Sequence, residues 1–237
     1  MNKQKKIVSM FDQIAKTYDI SNRVLSFGID KSWRKDACDK TYKILNQKEI
    51  ATIIDVACGT GDMCEFWDQR AKKLKIKLKE IIGADPSRGM LEVAKEKNLN
   101  ASYVVASAKD LPFKDNKADI ISISYGLRNV IDRDEGLREF KRVLKPNGLL
   151  VILEFTKLKD ENFISKLRDF YMKKVLPIVG GVLSRNFSAY KYLPNSIDNF
   201  LTKEKLIQEL QEIGFDIELT KGYSMDISTL IIARKPI

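Results

Sequence analysis

Short apolar runs alternate with segments of helical periodicity along most of this chain, and this alternation restricts the possible folds more than any other feature. The runs are IATIIDVA, EIIGAD, ASYVVAS, ADIISIS and LLVILEF. Strands that are separated by helices pair in parallel, and their crossover connections are right-handed. The pattern therefore predicts an α/β fold of the doubly wound, Rossmann-like type, with a mainly parallel sheet.

The end of the chain has a different pattern. The segment GFDIELTKGYSMDISTLIIARK contains two strand-like runs with a turn between them. Such a pair predicts an antiparallel addition at one edge of the sheet, which brings the strand count to about seven. The 237 residues suit a single domain spanning 1–237, and the sequence contains no internal repeat.

Two segments lie outside this alternation and are candidates for a mostly helical substrate cover. Residues 1–45 contain the amphipathic segment KKIVSMFDQIAKTYD and predict an N-terminal helical cap. Residues 157–200 form an insertion that predicts a lid, with an apolar stripe at helical spacing before Pro177: Phe163, Ile164, Leu167, Phe170, Tyr171 and Val175. The stripe fits ordinary core packing as well as a lid over a long apolar tail.

Composition excludes several classes of protein. The chain has no histidine and three cysteines without a pairing pattern, so neither a metal site nor a disulfide scaffold is expected. It has no signal-peptide pattern and no apolar run long enough to span a bilayer, so we expect a cytoplasmic protein. A net charge of +10 permits transient contact with the inner face of an anionic membrane. Oligomeric state leaves no signal in the sequence.

The segment DVACGTGD, from Asp55 to Asp62, is the most informative motif. Gly59 and Gly61 follow a predicted strand, and such a turn lets the backbone approach a ligand closely. The spacing also resembles a dinucleotide-binding loop, with Cys64 in place of the third glycine. Carboxylates flanking the loop repel a pyrophosphate but attract the ammonium and sulfonium charges of S-adenosylmethionine. Alternatively, both aspartates are helix caps or solvated loop residues.

The ends of the next two predicted strands add further candidate residues. Asp85 ends the second strand and is placed to bind a ribose, for either type of cofactor. The turn after the third strand offers Ser107, Ala108 and Asp110 to an adenine, with Phe113 as an apolar wall. By itself, the LPF segment that contains Phe113 is more typical of core packing.

Much of the chain resembles one family. The stretches YDISNRVLSFGIDKSW, DVACGTGD, GADPSRGML, AKDLPF, SISYGLRNV, RVLKPNGLLVILEF and AYKYLPNSI occur in order and resemble the C-methyltransferases of ubiquinone and menaquinone biosynthesis, the UbiE/MenG type. The resemblance implies a class I methyltransferase that transfers a methyl group from S-adenosylmethionine to a ring carbon of a prenylated, lipid-soluble quinol.

By position, the resemblance places cofactor contacts on Thr60, Asp85, Ser107, Ala108 and Ser124. The chain departs from the family pattern at four positions, where the family usually has methionine, histidine, glycine and serine: Ser21, Asp30, Asn147 and Thr156. None of these departures lies in the glycine loop.

Arg128 is the candidate catalytic residue, in the segment SISYGLRNVI. Methylation of an aromatic carbon needs electron density, which a quinol supplies as its hydroxyl loses a proton. A guanidinium is too weak a base for that step, but it stabilises a developing phenolate or orients a water. General-base work is left to a carboxylate, Tyr125 or a water. Alternatively, Arg128 forms a surface ion pair with Asp132 or Asp134, and Asn129 caps the next helix.

Other functions remain open at this point. These are methylation of another small molecule, an NAD-dependent reaction, cofactor binding without catalysis and, least favoured, methylation of a nucleic acid. The sequence contains no aromatic-flanked basic motif and no nucleic-acid methyltransferase signature, so no nucleic-acid partner is expected.

Overall fold

The structure is a computed structural model that describes residues 3–97, 99–158, 178–181 and 186–237. One seven-stranded sheet has the strand order β3-β2-β1-β4-β5-β7-β6. Its strands are β1 (Glu49–Val56), β2 (Lys77–Asp85), β3 (Ser102–Val105), β4 (Ala118–Ser124), β5 (Leu144–Glu154), β6 (Asp216–Tyr223) and β7 (Ser228–Arg234). The first five strands pair in parallel, which confirms the fold class predicted from the sequence.

The C-terminal strand pair adds to one edge of the sheet, as predicted, although its arrangement is not sequential. Strand β7 pairs antiparallel with β5 and also with β6, so β6 is outermost. An outward position suits β6 because its residues alternate between exposed and half-buried, whereas those of β7 are almost all buried.

The described helices are α1 (Lys3–Leu25), α2 (Ile29–Leu45), α3 (Asp62–Leu74), α4 (Arg88–Glu96), α5 (Arg133–Val143), α6 (Phe187–Asp198) and α7 (Lys203–Ile213). Local capping explains several of their boundaries. The Ser87 hydroxyl accepts a hydrogen bond from the Met90 amide at the start of α4, and Thr202 caps α7 in the same way. Gly214 ends α7 in a left-handed conformation.

Two apolar layers enclose the sheet, one on each face. Alternate residues of each strand enter opposite layers, as the period of a strand requires: Ile54 and Ile121 pack with the layer that contains α5 and α7, and Ile53 and Ile120 with the layer that contains α2 and α3. A third cluster joins α1 to α4 and α6, so α1 is held above the carboxyl ends of the strands.

Strand register brings the predicted motifs together. Val56 at the end of β1 is level with Ala84 of β2 and with Ile123 of β4. The glycine loop, Asp85 and the SISYGLRNVI segment therefore emerge at one edge of the sheet, where ligands of open α/β folds bind.

The whole of the predicted lid stripe, from Phe163 to Val175, lies outside the described residues. Among the helices that the structure does describe, none is both long and apolar enough to cross a bilayer.

Candidate functional site

A cavity of about 420 Å³ lies at the carboxyl ends of the strands. It is lined by six of the predicted site residues: Gly59, Asp85, Ser107, Ala108, Ser124 and Tyr125. Helix α1 covers it from the other side, with Ile7, Phe11, Asp12 and Tyr18 among the lining residues. The cavity is therefore formed by strand-end loops below and by the N-terminal cap above.

Left-handed backbone shapes the glycine loop. Gly59 has φ of 56° and Gly61 has φ of 83°, and both conformations are disfavoured for other residues. A Cβ at Gly61 would lie 2.8 Å from the Tyr103 hydroxyl oxygen, whereas a Cβ at Gly59 would meet no atom of the described residues within 4 Å. Gly61 is therefore needed for packing of the loop, and Gly59 leaves its side of the cavity open.

Asp85 joins this loop to the second strand. Its two carboxylate oxygens accept hydrogen bonds of 2.8 Å from the Gly59 amide and from the Ser87 amide. Only 7% of the residue is exposed, and burial raises its pKa to about 6. A buried carboxylate that lines a cavity is suited to accept hydrogen bonds from the hydroxyl groups of a ligand.

Asp55 lies beneath the loop and is not among the cavity-lining residues. It accepts a 2.6 Å hydrogen bond from the Ser122 hydroxyl, and that hydroxyl in turn accepts one from the Trp67 indole. Burial raises the pKa of Asp55 to about 7. Asp55 thus ties neighbouring strands together below the loop.

Asp62, the second carboxylate that flanks the loop, forms ion pairs with basic side chains of the same chain. Its side chain pairs with Arg23 of α1 and with Lys97. Burial acts to raise the pKa of Asp62, but Arg34, Lys97 and Arg23 outweigh it and the pKa is lowered. These cations offset part of the Asp62 charge, but each of them also pairs with Asp30 or Asp19, so attraction of a cationic ligand by Asp62 stays a prediction.

The turn after β3 meets the cavity only in part. Ser107 and Ala108 line it, but Asp110 and Phe113 are not among the described lining residues. Phe113 instead packs against the core layer that contains α5. This packing supports the core alternative for the LPF segment, and the aromatic wall at Phe113 stays a prediction.

Thr60 is turned toward the cap. Its hydroxyl donates a 2.5 Å hydrogen bond to Asp19 of α1, and only 2% of the residue is exposed. Asp19 also pairs with Lys97 at 2.7 Å. Thr60 therefore links the glycine loop to the N-terminal cap.

The segment after β4 is strained and partly unpaired. The Ser124 hydroxyl is buried and has no hydrogen-bond partner among the described residues. Tyr125 adopts φ of 58°, an unfavourable conformation for a bulky residue, and its hydroxyl bonds to the Ser228 hydroxyl at 3.0 Å. Burial raises the pKa of Tyr125, so the phenolate that would act as a base is scarcely populated. Strained backbone and an unpaired hydroxyl at a cavity are typical of ligand sites.

Arg128 forms a buried ion pair that the sequence analysis did not anticipate. Its Nη1 donates hydrogen bonds to Glu154 Oε1 at 2.6 Å and to the Tyr125 carbonyl at 2.5 Å, and its Nε donates to the Ser196 hydroxyl. The exposed fractions of the Arg128 and Glu154 side chains are 6% and 1%. The sequence did contain a sign of the role of Glu154, because Glu154 is a charged residue near the end of the apolar run LLVILEF.

The alternative partners of Arg128 are excluded. Asp132 pairs with Lys109, and Asp134 pairs with Arg138. Asn129 does not cap α5, whose N-cap is Asp132; it accepts a hydrogen bond from the Tyr192 hydroxyl. The interpretation of Arg128 as a surface residue of α5 is wrong.

The N-terminal cap adds a second guanidinium beside the cavity. Arg34 lies 5.1 Å from the centroid of the Tyr125 ring, and its Nη1 donates a 2.5 Å hydrogen bond to Asp30. Its buried Nε has no hydrogen-bond partner among the described residues. Asp30, one of the departures from the family pattern, also pairs with Arg23. Position in the sequence did not single out Arg34, because only the packing of α2 brings it to Tyr125.

Tyr18 lines the cavity and is affected by the charges of both guanidinium groups, although neither Arg128 nor Arg34 is among the described lining residues. Burial raises the pKa of its phenol, while the charges of Arg128 and Arg34 act in the opposite direction. Both guanidinium groups thus favour negative charge at a phenolic oxygen on the cavity wall. This arrangement is chemically suited to a substrate that develops phenolate character.

A family model decides the assignment: the model of the ubiE/COQ5 methyltransferase family matches residues 1–234. The chain belongs to the ubiE/COQ5 methyltransferase family. It is 51% identical to the ubiquinone/menaquinone biosynthesis C-methyltransferase UbiE of Campylobacter jejuni, over 99% of this chain and all of the relative. It is 39% identical to the demethylmenaquinone methyltransferase of Thermotoga maritima, over 90% of each chain.

Solved structures support the ubiE/COQ5 assignment at the level of the fold. A methyltransferase from Thermotoga maritima, described as S-adenosylmethionine-dependent and a possible histamine N-methyltransferase, has a TM-score of 0.62 and 21% identity; the match covers 97% of this chain and 99% of that one. A methyltransferase from Aquifex aeolicus has a TM-score of 0.58 and 18% identity, with coverage of 83% and 88%. At these identities the comparison shows a shared class I methyltransferase architecture.

This member of the ubiE/COQ5 family is an S-adenosylmethionine-dependent C-methyltransferase of quinone biosynthesis. The cavity fits that cofactor on three observations. The Ser124 hydroxyl is buried without a hydrogen-bond partner in the part of the chain that the structure describes, the Gly59 side is open there, and Asp85 offers a buried carboxylate to ribose hydroxyls.

Proposed function

We propose that this enzyme methylates a ring carbon of a prenylated quinol, either demethylmenaquinol or the corresponding benzoquinol of ubiquinone biosynthesis. The observation that carries the proposal is the 51% identity, over nearly full length, to a relative named for both pathways. The relative from Thermotoga maritima, named for demethylmenaquinone, favours the naphthoquinol substrate.

The cofactor is proposed to occupy the cavity under α1. Asp85 accepts hydrogen bonds from its ribose hydroxyls, Ser107 and Ala108 contact its adenine, and Ser124 offers a hydroxyl that has no partner among the described residues. Gly59 leaves room for the bound molecule, while Gly61, Thr60 and Asp55 hold the loop in shape without lining the cavity. Bound S-adenosylmethionine supplies an electrophilic methyl group on a sulfonium.

Arg128 is proposed to stabilise the substrate oxyanion. As the quinol hydroxyl loses its proton, negative charge spreads from the oxygen to the ortho carbon, and a fixed cation nearby lowers the barrier. The Arg128 guanidinium is held by three hydrogen bonds, which it donates to Glu154, to the Tyr125 carbonyl and to Ser196. The guanidinium is therefore preorganised and does not have to reorient during the reaction.

Tyr125 contributes through its position in this proposal. Burial raises the pKa of Tyr125 and outweighs the Arg34 charge and the hydrogen bond with Ser228, which act in the opposite direction, so the phenol is neutral near pH 7. Its ring instead provides an apolar surface beneath the Arg34 guanidinium, and its carbonyl holds Arg128. The proton of the quinol is then accepted by a carboxylate or by a water.

Contact with a membrane follows from the proposed substrate. A prenylated quinol resides in the bilayer, so the enzyme has to reach the membrane surface to collect it. The net charge of +10 supports transient peripheral binding to anionic lipid at the inner face of the membrane. The proposal involves no nucleic-acid partner.

The test is a methyl-transfer assay with the purified enzyme and two reduced substrates that carry a short prenyl tail. One is a demethylated naphthoquinol and the other the equivalent benzoquinol, and mass spectrometry locates the added methyl group. We expect C-methylated product from at least one of them, with S-adenosylhomocysteine formed in equal amount. Absence of product from both, with a positive-control C-methyltransferase active in the same assay, contradicts the proposal.

A further inference from the structure

The outer face of α1 and the turn into α2 expose an unusual amount of apolar surface. Ile20 is 65% exposed, Val24 is 45% exposed and Phe27 is 87% exposed, and Ile29 adds a further 44%. Ile20 and Val24 are four residues apart and therefore share one face of the helix. We call these four residues the corner surface.

Phe27 is at the centre of the corner surface and is unfavourable for folding in two ways. Its φ of 51° lies in the left-handed region, which a bulky residue rarely adopts. Its ring is also left in water. Asn in this position would relieve both costs, because Asn tolerates the left-handed conformation and is polar. Stability of the fold thus gives no reason for a phenylalanine here.

Lysines surround the corner surface. Lys16 precedes Ile20 by one helical turn, and Lys31 and Lys35 follow Ile29 on α2; all three are exposed. None of the ion pairs found among the described residues involves them. Exposed apolar residues with a basic border are complementary to a bilayer that has an apolar interior and anionic headgroups.

The corner surface belongs to the same helix and turn as part of the cavity wall. Tyr18 lines the cavity and precedes Ile20 by two residues on the same helix. On the other side of the turn, Asp30 holds Arg34 against the Tyr125 ring. If the corner surface contacts the bilayer, a quinol that enters the cavity beside this turn passes directly from the bilayer into the protein.

We propose that the corner surface docks the enzyme onto anionic lipid bilayers, with Phe27 and Ile20 inserted among the lipids and the three lysines at the headgroups. This proposal rests on the proposed function in one respect: the enzyme needs to dock on a membrane because its proposed substrate, a prenylated quinol, is located there. The proposed occupant is a lipid surface, and a second copy of the chain is the alternative that the experiment distinguishes.

The experiment is vesicle co-sedimentation of the full chain, with S-adenosylmethionine present. Vesicles of phosphatidylcholine and phosphatidylglycerol in equal parts are compared with vesicles of phosphatidylcholine alone. We expect binding to the anionic vesicles that weakens with added salt. Phe27→Asn should lower the vesicle partition coefficient by about tenfold, since a large apolar side chain no longer enters the lipid. Its thermal midpoint should stay unchanged or rise.

Two matched variants separate docking from general surface effects. Val24→Ser removes a side chain of the corner surface that is 45% exposed. Leu74→Ser removes a side chain that is 43% exposed at the end of α3, next to the amino end of β2 and away from the corner surface. We expect weaker vesicle binding for Val24→Ser and unchanged binding for Leu74→Ser. Turnover of a short-tailed soluble quinol should be the same for both variants and for Phe27→Asn.

Three results overturn the docking proposal. They are failure of the wild-type chain to bind anionic vesicles, equal losses for Val24→Ser and Leu74→Ser, and a wild-type dimer in sedimentation equilibrium that Phe27→Asn converts to a monomer. A chain that binds vesicles through this surface but methylates neither soluble quinol contradicts the proposed function and leaves the docking proposal standing. The two failures are therefore distinguishable.

Discussion

The loops under the cavity and the cap above it are built by different interactions. Backbone groups hold the loops: the Gly59 and Ser87 amides donate to Asp85, and the Cys58 amide donates to the Ala84 carbonyl. The cap also has an apolar base around Ile14, but it is fastened to the loops by charged side chains, among them Asp19. The same cavity thus has one wall held by main-chain amides, two of which bind the Asp85 carboxylate, and one wall held by side-chain pairs.

This difference teaches which changes the site tolerates. The loop backbone has to keep its local conformation to contact a ligand. A side chain added at one of its glycines disturbs that conformation or fills the space that the ligand needs. A half-exposed ion pair contributes about 1 kcal/mol or less, and its loss is shared with the remaining pairs. We therefore expect large, local effects of substitutions in the loops and small, distributed effects of substitutions in the cap.

The largest effect is expected for Gly59→Val. The new side chain would occupy the cavity, and affinity for S-adenosylmethionine should fall by at least about 100-fold, the equivalent of one to two polar contacts to the ligand. Gly28→Val is the matched control, because Gly28 has φ of 73° and a Cβ there also meets no atom of the described residues within 4 Å. Calorimetry should show near-normal cofactor affinity for Gly28→Val. Equal affinities of the two variants would disprove the assignment of the glycine loop.

A comparable effect, but on turnover alone, is expected for Arg128→Lys. Lysine keeps the charge but loses the planar fork that binds Glu154 and the Tyr125 carbonyl together. Turnover should fall by about 10²- to 10³-fold with unchanged cofactor affinity, and the deficit should narrow at high pH, where the quinol ionises without assistance.

Arg138→Lys is the control for this variant, since Arg138 pairs with Asp134 on an exposed face of α5. It should have wild-type turnover at every pH. Normal turnover of Arg128→Lys, with loss of stability only, would make the Arg128 and Glu154 pair purely structural.

A smaller effect is expected for Asp85→Asn. The amide offers one acceptor in place of two, which should weaken cofactor binding by about 1.5 to 3 kcal/mol. In the wild type, affinity should fall as the pH decreases through about 6, because the pKa of Asp85 is raised to about 6 by burial and its protonated form accepts fewer hydrogen bonds. Titration calorimetry across this range should show the pH dependence in the wild type and its absence in Asp85→Asn.

The smallest effect is expected in the cap, for Asp19→Asn. This change removes the charge that pairs with Lys97 and weakens the contact with Thr60. Cofactor affinity should fall only a few-fold, on the order of 0.5 to 1 kcal/mol. Asp68→Asn, which removes an ion pair with Lys72 on α3, is the control and should have wild-type affinity. If Asp19→Asn lost as much cofactor affinity as Gly59→Val, the proposed difference between the loop wall and the cap wall would be wrong.

Local chemistry explains why the loop wall was predictable from the sequence. Gly59, Asp85, Ser107, Ala108 and Ser124 stand at the ends of strands with recognisable apolar runs, and parallel pairing places all such ends at one edge. Each of these positions needs only its own short segment and the order of the strands. The prediction therefore required no knowledge of long-range side-chain contacts.

The partners of charged residues could not be predicted in the same way. Arg128 has Asp132 and Asp134 as its nearest acidic neighbours along the chain, yet it pairs with Glu154, 26 residues away. Asp62 pairs with Arg23 and Lys97, which lie on other segments. Sequence distance favoured the wrong acidic partners because it carries no information about which helix packs over which strand end.

The sequence by itself determined the parallel sheet, the edge at which the ligand site forms and the glycine loop, because strand period, turn chemistry and backbone conformation are local properties. Only the tertiary structure decided which carboxylates remain free to meet a ligand, that Arg34 lies on the Tyr125 ring, and that Phe27 faces solvent. These outcomes depend on burial and on charges brought together from distant segments. Both are set by the packing of α1 and α2 against the strand ends.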